Sequence, residues 1–153
     1  MLILSVLLTA CSYGFSGSLP SHLQTVKVLP FRSRVTEYGL EQDLTSRVTQ
    51  MFVRDGRLTL VTGDQNCELE GSVVMWSRTP YSYTSAEQVE EYKIEIRVEL
   101  TFTDLLDESD ILNSEYVTSW VVYDPDTESE DAARSRLLEE TAGDIVRRCL
   151  SGW

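Results

Sequence analysis

Apolar and polar positions follow two rhythms along this chain, and the change from one to the other marks out its elements. From about Tyr38 to Arg54, the residues Leu40, Leu44, Val48, Met51 and Phe52 recur at helical spacing. Gly56 stands just beyond them, where a helix end takes a left-handed cap. Before this helix, Val26 to Phe31 is a short apolar run interrupted by Lys27 and stopped by Pro30, which predicts a first strand. After Gly56 the period shortens to two. Leu58 and Leu60–Val61 predict a short strand that ends at Gly63-Asp64. Leu69, Gly71, Val73 and Met75 alternate with Glu68, Glu70 and Ser72, and the polar stretch Ser77 to Gln88 reads as a loop. The longest alternation sets Tyr92, Ile94, Ile96, Val98, Leu100 and Phe102 on one face, against Lys93, Glu95, Arg97, Glu99 and Thr101 on the other. An acidic turn, Asp104 to Asp110, leads to a strand over Leu112 to Tyr123 that is rich in Val, Tyr, Thr and Trp. A second acidic loop, Asp124 to Asp131, places Thr127 and Glu130 at capping-box spacing. The final segment is an amphipathic helix carrying Ala133, Leu137, Leu138, Ile145, Val146 and Cys149.

The order is strand, helix, several strands, helix. It predicts a two-layer α+β domain: about four strands in a mixed or antiparallel sheet, with two amphipathic helices packed on one face. The first strand, helix and second strand suit one crossover unit at the sheet's end.

The ends of the pattern carry different information. Met1 to Ala10, MLILSVLLTA, is uncharged and almost wholly apolar, yet too short for a membrane-spanning helix, which needs ~20 residues. It reads as the apolar stretch of an export signal, without the usual basic start, so that the true start codon is expected upstream. Leu8-Thr9-Ala10-Cys11 resembles a bacterial lipobox, in which the cysteine thiol takes diacylglycerol and becomes the mature N-terminus. Residues 11–23, rich in Ser and Gly, then form a lipidated tether, and residues 24–153 form a single domain. Export leaves Cys67 and Cys149 as an even pair in an oxidising compartment. They form either a disulfide, whose long loop would be worth ~4–5 kcal/mol, or two buried free thiols.

Charge narrows the function. Thirteen Lys+Arg against 25 Asp+Glu give a net −12, and His22 is the one histidine. Nucleic acid is excluded as a partner, since its affinity rests on cationic side chains that neutralise phosphates. No catalytic motif is present, and His22 sits in the tether with no catalytic partner near it in sequence. The acidic loops lack the residue order of a calcium loop, and scattered Cys with one His make no zinc site. The chain therefore reads as a binding or assembly protein, not an enzyme, with no cofactor and no metal. Aromatic residues outside the periodic elements are Tyr13 and Phe15, just after the lipid site, and Tyr81 and Tyr83 in the polar loop. They suit either a partner interface or packing over the end of the domain's own sheet.

Several short motifs in a fixed order resemble the LptE family of lipopolysaccharide-assembly lipoproteins. They are Cys11-Ser12-Tyr13-Gly14-Phe15-Ser16-Gly17, Val26-Lys27-Val28-Leu29-Pro30-Phe31, Gly39-Leu40-Glu41-Gln42-Asp43-Leu44-Thr45, Asp55-Gly56-Arg57-Leu58, Glu68-Leu69-Glu70-Gly71-Ser72-Val73 and Glu91-Tyr92-Lys93. They span about residues 11–100, and the C-terminal part matches in pattern only. The resemblance implies a lipid-anchored protein on the periplasmic face of the outer membrane, plugging the β-barrel LptD and aiding delivery of lipopolysaccharide. Ser12 after Cys11 agrees with outer-membrane sorting. Lipopolysaccharide is anionic, so a direct contact with this acidic chain is expected to be weak or transient, with Arg78, Lys93 and Arg97 as its candidates. The first strand and helix also resemble those of CsgG-like secretion lipoproteins and activators of peptidoglycan synthases. The Cys11-to-Gly17 start and the short chain favour the first family.

Overall fold

The computed structural model describes residues 19–151. Its elements in chain order are β1 (Thr25–Val28), β2 (Arg32–Ser33), α1 (Leu40–Asp55), β3 (Thr59–Leu60), β4 (Cys67–Tyr83), β5 (Val89–Asp104), β6 (Ser109–Tyr123) and α2 (Glu130–Ser151). The strands make one six-stranded mixed sheet in the order β3-β1-β4-β5-β6, with β2 added beside β4. The expected two-layer α+β arrangement is present, and the sheet is larger than four strands. The difference lies in β2 and β3, each two residues long, too short to leave a period in the sequence.

Local chemistry explains where the helices stop and start. Gly56 has φ 74° and its N–H returns to the Phe52 carbonyl, the left-handed cap that its position predicts. The capping box at Thr127 and Glu130 does not form. Asp124 instead organises the turn, its carbonyl accepting from the Thr127 and Glu128 amides, and the Ser129 hydroxyl accepts from the Ala132 N–H at 3.2 Å. Ser129, adjacent to the first helical residue, is better placed to cap it.

β1 runs parallel to both β3 and β4, while β4, β5 and β6 form an antiparallel meander. Val26, Leu69, Val73, Ile94, Ile96, Val98, Leu100 and Phe102 point to the helix side, where Leu44, Val48, Phe52, Leu137, Leu138 and Ile145 meet them in one buried cluster. The second sheet face carries the polar half of each alternation, and no helix of the described residues covers it.

The stretch from Ser77 to Tyr83 is strand, not loop. β4 and β5 continue as a hairpin, Arg78 opposite Ile94 and Tyr83 opposite Val89, with β6 beside β5 only as far as Tyr92, and the turn is confined to residues 84–88. Pro80 is tolerated because β1 and β2 no longer pair with β4 there, so that one edge is free of ladder bonds. A bulge between Val73 and Met75 moves the phase of β4 by one residue. Beyond it Trp76 and Arg78 face the helix side, where an unbroken alternation would have put Met75 and Ser77.

Candidate functional site

Two surfaces stand apart from the core. The first is the open sheet face. Lys93, Glu95, Arg97 and Glu99 project from β5 there, beside Tyr116, Thr118 and Trp120 of β6. Tyr116 and Trp120 are 55% and 52% exposed, high values for aromatic side chains on a regular strand. The Lys93 ammonium lies 2.5 Å from Glu95 and 5.2 Å from the Trp120 ring centre, so its charge is already matched. The Arg97 guanidinium donates to the Thr118 hydroxyl and has no carboxylate partner among the described residues. The second surface is the hairpin tip, where Tyr81 and Tyr83 are 55% and 59% exposed and do not fold back over the sheet.

Arg78 is separated from the other two cation candidates, because the bulge turns it to the opposite face. Its guanidinium stacks 3.6 Å above the Tyr92 ring, donates to the Tyr123 hydroxyl at 2.7 Å and reaches Glu130 at 3.1 Å. This cluster joins the hairpin base to the start of α2. The hydrogen bond to Tyr123 and the nearby Glu130 hold the Arg78 charge more firmly than usual.

The cysteine pair lies inside. Cys67 and Cys149 are fully buried free thiols, and the Cys67 thiol donates to the Thr25 carbonyl at 3.2 Å. Burial, with a contribution from Asp104, pushes the Cys67 thiol up to about 12, and burial with the neighbouring Cys67 raises Cys149 as well. Cys11, Tyr13 and Phe15 lie outside the described residues.

One cluster was hidden in the sequence. His22 meets Asp104, 82 positions away, with Nε2 2.6 Å from Oδ2, and Asp107 lies 3.7 Å from the same nitrogen. The other Asp104 oxygen accepts from the Leu106 and Asp107 amides, which fixes the carboxylate's orientation. Burial pushes Asp104 upward, but the His22 hydrogen bond and those two amides outweigh it and leave the group below its ordinary value. His22 is raised, first by its hydrogen bond to Asp104, against a smaller desolvation effect. Imidazole and carboxylate bond each other directly. The arrangement is a latch between the start of the domain and the β5–β6 turn, and only long-range pairing reveals it.

A family model described as lipopolysaccharide-assembly, LptE, matches residues 23–149. The chain belongs to the LptE family. That match takes in the whole sheet and nearly all of α2, including the C-terminal part where short motifs were lacking. Solved structures give the same fold at low identity. The hypothetical protein CT253 from Chlamydia trachomatis superposes with a TM-score of 0.66 at 12% identity, covering 85% of this chain and 96% of that one. Protein XCC0632 from Xanthomonas campestris gives 0.62 at 15% identity, covering 88% and 90%. The uncharacterized lipoprotein B from Nitrosomonas europaea gives 0.61 at 13%, covering 90% and 88%. No curated protein matches the chain by sequence. As an LptE-family member the chain is a lipopolysaccharide-assembly protein.

Proposed function

We propose that this protein is a non-catalytic outer-membrane lipoprotein, acylated at Cys11, that plugs the LptD β-barrel from its periplasmic side and supports lipopolysaccharide delivery. The observation that carries this reading is the β4–β5 hairpin. It extends past the part of the sheet that β1 and β2 border, and ends in two exposed tyrosines with no contact to the core. Aromatic anchors on a rigid projection bury large area at small entropic cost, which suits insertion into a preformed cavity. The apolar run before Cys11 and the family match support the anchor and the process.

The test is a pull-down from solubilised outer membranes using the full tagged chain. Recovery of the LptD barrel by the wild type, and its loss on Tyr81→Ser with Tyr83→Ser, is the expected result. Recovery of a secretion pore or a peptidoglycan synthase instead of LptD would overturn the proposal.

A further inference from the structure

The open sheet face is not flat. Where the link from β1 to β2 runs beside β4, a recess of about 160 Å³ forms, with Leu29 and Pro30 in its lining. Its floor is Gly71-Ser72 of β4. Ser72 lies in register with Arg32 of β2 on one side and Glu99 of β5 on the other. Glu70 and Thr101 complete the polar lining.

Three observations mark this recess as a built site. Ser72 is 93% buried, being 7% exposed, and its hydroxyl is the one buried side-chain oxygen or nitrogen among the described residues without a hydrogen-bond partner. A buried hydroxyl is costly unless something in its cavity bonds it. Next, Arg34 spends its charge on Glu99 at 2.9 Å, whereas Arg32 has no carboxylate within ion-pair reach among the described residues. Finally, two arginines and two glutamates line the recess, so its formal charge is zero within a chain of −12.

That balance decides the ligand class. An inorganic anion at Arg32 would face the Glu70 and Glu99 carboxylates, and a cation at those carboxylates would face the guanidiniums. A neutral polyol meets neither penalty. Its hydroxyls accept from Arg32 and donate to Glu70, either role suits Ser72, and its C–H face suits Leu29 and Pro30. We infer that the recess floored by Ser72 binds an uncharged sugar unit through Arg32, Glu70 and the Ser72 hydroxyl. Identifying that sugar as part of lipopolysaccharide rests on the function proposed above, whereas the sugar site itself does not.

The test follows backbone amide shifts of the full-length chain in detergent. One probe is core oligosaccharide stripped of acyl chains and phosphates, and the other is inorganic phosphate. The oligosaccharide is expected to move the Gly71, Ser72 and Thr101 amides saturably, and Arg32→Gln or Glu70→Gln to weaken that response ~5-fold or more. Ser72→Ala should also weaken it while leaving the melting temperature unchanged or higher, because it deletes an unpaired buried group. A response to phosphate alone, or to neither probe, overturns the inference. Barrel recovery by these same variants is measured in parallel. Barrel recovered without sugar binding sinks the sugar site alone, and sugar binding without barrel recovery sinks only the plug.

Discussion

Gly71 shows how one residue can decide a local packing arrangement that its neighbourhood in the sequence does not announce. A methyl group added there would lie 2.6 Å from the Phe31 ring, too close for any contact. Phe31 cannot retreat easily, since it is buried and its N–H donates to the Thr45 hydroxyl on α1 at 2.9 Å. Gly71→Ala should therefore lower stability by ~1–3 kcal/mol, the usual cost of overpacking, as read from urea unfolding. In the sequence Gly71-Ser72 looks like an ordinary pair within a strand, because the ring that requires the glycine arrives from 40 positions earlier. The cysteines make a second prediction at this scale. Both thiols are buried, adjacent in the core and raised in pKa, so they should resist alkylation in the native state. Refolding in an oxidising glutathione buffer is expected to join Cys67 to Cys149, removing two hydrogens and reducing an equivalent of disulfide oxidant. Intact mass and a peptide map report the bond. Two alkylatable thiols after such refolding would show that they stay free.

Elements were legible in proportion to how much core they bury. α1 and β5 carry uninterrupted apolar periods, and both lie close to where the pattern places them. The outer half of the β4–β5 hairpin buries little, so Ser77 to Tyr83 offers no apolar alternation and looks like a loop. The exposed pair Tyr116 and Trp120 is illegible in the sequence for the opposite reason. In a strand dense with Val and aromatic residues, the outward set becomes visible only when Val117, Val121 and Tyr123 are known to face inward. The His22 latch belongs to this scale too, because it ties the approach to β1 to the β5–β6 turn. His22 is raised in the folded state, so its contribution is fully present below the unfolded value near 6.5 and is lost as pH rises through the folded value. Asp104 is lowered, so its contribution is present above about 3.8 and is lost as pH falls through the folded value. The latch is strongest between those limits. Hydrogen exchange at Leu23 to Val26 should accelerate between pH 6 and 9 in the wild type. In His22→Gln that pH step should vanish once the intrinsic rate is removed. An unchanged step in the variant would assign it to another group.

At the scale of the whole molecule, the distribution of charge matters more than its sum. Eleven of the thirteen cationic side chains already have a carboxylate within 4.0 Å: Lys27, Arg34, Arg47, Arg54, Arg57, Arg78, Lys93, Arg134, Arg136, Arg147 and Arg148. Arg32 and Arg97 are left without one among the described residues. An anionic lipid thus meets two scattered free cations on a surface of net −12, with no cluster to grip its phosphates. This separates two ways of associating with lipopolysaccharide by their response to salt. Capture by cations weakens as salt rises, whereas an encounter opposed by like charge strengthens, because screening over ~8–10 Å removes the repulsion. Binding of the full chain to lipopolysaccharide micelles is therefore expected to be weaker than its binding to the barrel, and to increase between 20 and 200 mM NaCl. Glu95→Gln with Glu99→Gln, on the open face beside Arg97, should raise the low-salt affinity and flatten the dependence. Tight lipopolysaccharide binding that falls steeply with salt would mean that bound phosphate displaces the internal ion pairs. The acidic surface would then be a reserve of cations released on contact, and the barrel would no longer be the dominant partner.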